Sequence, residues 1–175
     1  MNRVGLFVVG FGLFVGAGAA GLLAATATAQ AAEPRSAEVL LQYEKGQPRH
    51  MPQFAKARGK YLGSGTGTVD GAINGKVAWD LYEDQDAPQL HRTQFVGRIT
   101  AADGSSIYFE TAGYFVPRRG ALDFWDLTSA VYLFSAQGPT LQSLQGALGV
   151  WEGDVDTRTF RHRYRLRLLE PPDRK

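Results

Sequence analysis

The chain has 175 residues, 44% of them hydrophobic, with a formal charge of +2 and no cysteine. That length and apolar content suit one domain with a single buried core and exclude a wholly disordered chain. The lack of cysteine excludes disulfides, thiolate metal sites and a cysteine nucleophile, and the nearly balanced charge gives no basis for nucleic-acid binding.

Residues 1–31 read as a signal peptide. Arg3 supplies a positive start, Val4–Leu23 is an uncharged apolar run, and Ala27-Thr28-Ala29 and Ala29-Gln30-Ala31 both fit an A-x-A cleavage site. Cleavage after Ala31 predicts an exported protein, periplasmic or extracellular. The alternative is a membrane anchor formed by residues 4–23, which the six glycines in that run weaken.

Residues 32–60 form a lead-in. Glu38–Tyr43 fits a short strand or one helical turn, Gln47–Pro52 is broken by two prolines, and the basic stretch Ala55–Lys60 reads as a solvated approach. Tyr61–Tyr82 is then a hairpin. Gly63, Gly65 and Gly67 recur with period two before the turn dipeptides Asp70-Gly71 and Asn74-Gly75, and Val77, Trp79 and Leu81 recur with period two after them. Alternating glycines let a strand bend, or let a ring or backbone lie over that face.

Asp84–Pro88 is a polar loop. Leu90–Thr100 and Ser106–Val116 make a second hairpin around Asp103-Gly104, ended by Pro117 to Gly120. Leu122–Trp125 and Ser129–Ser135 are β-prone, Thr140–Ala147 fits a short helix with Leu141 and Leu144 on one side, and Gly149–Gly153 restarts extended chain. Arg158–Leu169 alternates most cleanly. Phe160, His162, Tyr164, Leu166 and Leu168 share one face, with Arg161, Arg163, Arg165 and Arg167 on the other, before Pro171-Pro172 stops the strand. About seven to nine short strands with turns between them predict an all-β antiparallel sandwich or barrel, with a barrel favoured because closure removes edges. It occupies residues 61–170, leaving a tail at 171–175.

Known catalytic signatures are near misses. Gly63-Ser64-Gly65-Thr66-Gly67 lacks the dinucleotide spacing and precedes a strand, and Gly71 to Val77 is one residue short of a phosphate loop and lacks its hydroxyl. No serine sits in a nucleophile-elbow context, which disfavours a serine hydrolase. His50, His91 and His162 show no metal-ligand spacing, and no metal or cofactor is implied. His162, on the apolar face, reads as a hydrogen-bonded core residue.

His91, at a strand start near Glu83 and Asp84, is the better general-base candidate, with Asp80 or Glu110 as its carboxylate. Asp80 faces solvent if Trp79 faces the core, or the lumen if the lumen is polar. Trp79, Phe95, Tyr114 and Trp151 are the candidates for lining a cavity around a small apolar or aromatic molecule. The arginine stripe at 161, 163, 165 and 167 is either a solvated strand face or a contact for an anionic membrane surface or polysaccharide.

Gly67-Thr-Val-Asp-Gly71, Gly75-Lys-Val, Trp79, Ile99-Thr100, Asp103-Gly104-Ser-Ser-Ile107 and Gly113 resemble a family of uncharacterised bacterial β-barrel proteins, numbered three-two-three-seven among the domains of unknown function. The resemblance implies a closed antiparallel barrel of about eight strands, of the allene oxide cyclase or calycin-like kind, and no established activity. These readings lead to an exported barrel that binds a small, partly apolar ligand. The alternatives are an isomerase, cyclase or hydrolase built on the same barrel, and an envelope-associated interaction module using the arginines.

Overall fold

The computed structural model describes residues 35–44, 49, 54 and 57–169. The expected leader, His50, most of the proline-bearing lead-in and the tail lie outside them. Eight strands form a closed antiparallel barrel in which each strand pairs with its neighbours in sequence and the last pairs with the first. They are β1 (Ser36–Glu44), β2 (Lys60–Gly71), β3 (Gly75–Ala87), β4 (Leu90–Thr100), β5 (Ser106–Pro117), β6 (Phe124–Gln137), β7 (Leu148–Asp156) and β8 (Arg161–Leu168). The barrel therefore begins well before Tyr61. The ambiguous stretch at Glu38–Tyr43 is a strand because β8 and β2 offer it partners on both sides, which close the circle. Leu122–Trp125 and Ser129–Ser135 contribute to one long strand, β6, and the helix expected near Thr140 is a single 3-10 turn at Gln142–Leu144.

Inward positions follow the period of two. Val77, Trp79 and Leu81 of β3, Phe95 and Ile99 of β4, Ile107 and Phe109 of β5, and Tyr164, Leu166 and Leu168 of β8 are buried. The glycine face of β2 also points inward. A Cβ on Gly65 would stand 2.4 Å from Trp79 Cζ2, so the missing side chain is what lets the indole lie across the neighbouring strand. Trp79 Nε1 donates to the Thr66 carbonyl at 3.3 Å, giving the buried indole its partner.

One end is filled. Ile73 from the β2–β3 turn and Leu141 and Leu144 from the β6–β7 connection are 2–3% exposed and join Ile99, Ile107 and Leu133. That connection is tied to the β4–β5 turn, where Thr140 Oγ1 and Ser105 Oγ both donate to Asp103 Oδ2, at 2.5 and 2.9 Å. These bonds stabilise the anionic form and hold the Asp103 carboxyl below its usual range. Within the core itself, the space between Val39, Val77, Phe109 and Leu166 amounts to only about 10 Å3.

Above this packed half lies an aromatic layer. Phe95 sits at its centre, 5.6 Å from both Trp79 and Trp151 and 5.8 Å from His162, centroid to centroid. Phe109 and Tyr164 close on Trp151 edge to face at 5.4 and 5.2 Å.

Candidate functional site

The opposite end of the barrel is open. A bowl of about 460 Å3 sits between the ends of the strands and the aromatic layer. Trp79, Leu81 and Phe115 line its wall, and Tyr43, Leu62 and Phe160 lie toward its rim. The wall is mostly apolar, and its size falls in the range of small-molecule pockets. Phe160 has φ of 51°, a left-handed conformation unusual for a bulky residue. It ends the Asp156–Arg161 turn, where its N–H donates to the Asp156 carbonyl at 2.7 Å, and its ring packs against Tyr43 at 5.6 Å.

Three side chains with polar chemistry stand out in this apolar surface. Glu83 near the end of β3 and His91 at the start of β4 are diagonal neighbours, since Glu83 pairs with Thr93 and His91 with Gln85. Glu83 Oε1 lies 2.5 Å from His91 Nδ1. Trp125 from β6 meets the imidazole edge-on, with centroids 4.6 Å apart and planes at 83°. The pair is therefore fixed by a hydrogen bond on one side and a ring contact on the other. His162 forms part of the floor. It is buried, its Nδ1 is 2.6 Å from Tyr164 Oη, and desolvation lowers its pKa to about 4. Burial raises the Tyr164 phenol, so both groups stay neutral.

The structure separates the residues that the sequence groups together. His91 faces the bowl, but neither Asp80 nor Glu110 does. Asp80 is outward, yet it does not face solvent: it is 2% exposed. Ser64 Oγ donates to it at 2.7 Å and the Arg49 backbone N–H at 2.9 Å. The cause is the β1–β2 connection, whose described residues cross the outside of the sheet. Phe54 packs there on Tyr108 and Phe134, and the Arg58 N–H donates to Gln94.

Glu110 also lies outside, accepting from Gln94 Nε2 at 2.6 Å. It borders a depression of about 510 Å3 beside β4 and β5. Much of the polar lining of that depression is already engaged, Arg92 with Asp84 and Gln94 with Glu110, and the bowl is the better site. Of the proposed lining residues, Trp79 reaches the bowl, Phe95 and Trp151 lie in the aromatic layer beneath it, and Tyr114 points outward and is 41% exposed. Tyr114 has even parity on a strand whose odd residues face inward.

The arginine stripe is on the outer face, as its alternation requires. Its neighbours could not be read from β8 alone. Glu152, Asp154 and Asp156 of β7 stand directly across from Arg165, Arg163 and Arg161, and Glu38 of β1 stands across from Arg165 on the other side. Arg167 reaches Glu152 at 2.9 Å. The stripe has a row of carboxylates on its β7 side and one carboxylate on its β1 side, so its field is largely offset within the sheet.

Among the described residues no three His, Asp or Glu side chains gather as metal ligands would. The fold is shared with a protein of known structure. A crystal structure of a conserved protein of unknown function from Rhodopseudomonas palustris matches with a TM-score of 0.51 and 13% identity, over 77% of this chain and 93% of that one. At that identity the likeness concerns the barrel alone. No family model matches the sequence, including any for the family its turn glycines resemble, and no curated protein matches it.

Proposed function

We propose that this protein is an exported, calycin-like barrel that binds one small, partly apolar molecule in the bowl at its open end. The observation that carries the reading is the contrast within one lumen: a packed lower half beneath an apolar bowl of about 460 Å3 whose wall carries a Glu83–His91 pair. Small barrels hold a ligand where side chains leave the interior unfilled, and a few placed polar groups then set its orientation. Export rests on the leader at 1–31, and the calycin-like kinship on the turn glycines.

Titration with the apolar dye N-phenyl-naphthylamine tests it. Saturable one-to-one fluorescence enhancement is expected, and Thr157→Trp, which places an indole at the bowl, should abolish it. Absence of binding, or binding unchanged in that variant, would overturn the reading.

A further inference from the structure

We infer that His91 is a proton acceptor, and that the ligand class of the bowl is an apolar molecule bearing one acidic hydroxyl, a phenol or an enol. This rests on the bowl being the ligand site. With Glu83 as the carboxylate, the 2.5 Å contact assigns the imidazole N–H to Nδ1, which donates to Oε1. Nε2 then carries the free lone pair. Among the described residues no hydrogen bond engages Nε2, and it is not among the buried polar atoms left without a partner, so it is accessible on a side chain that lines the bowl. Trp125 holds the ring in that orientation.

Across the bowl the titratable groups are Tyr43 and His162, and no Lys, Arg or Asp is among the described lining residues. A bound hydroxyl therefore has one well-placed base. Its proton moves to Nε2, the oxygen keeps the electron pair, and the resulting imidazolium is held between the new oxyanion and Glu83. The apolar wall strengthens that charge pairing relative to water.

The experiment uses para-nitrophenol and its methyl ether, para-nitroanisole, as probes. Below the pKa of free para-nitrophenol, the bound phenol should show the yellow phenolate band. Its phenolate-to-phenol ratio should be raised roughly tenfold or more over free solution, as expected for an adjacent imidazolium. His91→Gln should lose the band and Glu83→Gln should weaken it, both with the fold intact by circular dichroism. Should His91→Gln not fold, the Glu83→Gln comparison decides alone. Para-nitroanisole binding without a phenolate band from para-nitrophenol would overturn this inference and leave the bowl intact as a ligand site. Binding of neither probe would overturn both.

Discussion

The two ends of the barrel are made from the same eight strands with the same inward parity, yet one is solid and the other hollow. The difference lies in what the connections contribute. At the closed end the β2–β3 turn and the β6–β7 connection send Ile73, Leu141 and Leu144 into the lumen. At the open end the long β1–β2 connection sends its described residues to the outside instead, where they cover Asp80, Tyr108 and Gln94. Parity decides which side chains point inward, and the loops decide whether the space they enclose is filled.

The two halves should respond differently to substitution. The largest effect belongs to the packed half. Leu133 is fully buried there, and Leu133→Ala should cost about 2–5 kcal/mol in urea unfolding while dye affinity in the bowl stays within about twofold. A large loss of affinity with little loss of stability would break the comparison.

His162 sits at the boundary. Its pKa is about 4 in the fold against 6.5 for the ordinary imidazole, so the unfolded chain takes up a proton that the folded chain refuses. Stability should be full above the unfolded value and fall as pH drops toward the folded one, by about 3 kcal/mol in total. Urea titrations across that window in wild type and His162→Gln measure this. Parallel pH profiles in the two proteins would place the acid sensitivity elsewhere.

The smallest stability effect belongs to the rim. Phe160→Gly relieves the left-handed strain, about 1–2 kcal/mol, but removes the packing on Tyr43, so net stability should move by less than about 1 kcal/mol. Dye dissociation, measured by stopped flow, should speed up severalfold. An unchanged rate would show that the rim does not retain the ligand.

Part of the site was within reach of the sequence. Once β3 and β4 are joined by a tight turn, odd residues of both face inward, and Glu83 and His91 fall on one face. The bulge between Gln85 and Ala87 sets that register, and nothing in the polar stretch Asp84–Pro88 announces it. Asp80 and Glu110 are carboxylates on strands whose odd residues face inward, so even parity places both outside. Trp125 and Phe160 come from β6 and from the β7–β8 turn, far from His91 in sequence, and only closure of the barrel brings them to the same bowl.

Alternation by itself determined that this chain makes strands, that Gly63, Gly65 and Gly67 share one face of their strand as Val77, Trp79 and Leu81 do of theirs, and that the arginines of β8 share a side opposite His162 and Tyr164. Those features depend on a local period of two, which each strand carries within itself. The tertiary structure alone decided that Glu38–Tyr43 completes the barrel, that carboxylates flank the arginines, that Asp80 is covered, and that the lumen is filled at one end and open at the other. Each of these depends on which distant segment comes to lie alongside, and a period within one strand carries no information about its neighbour.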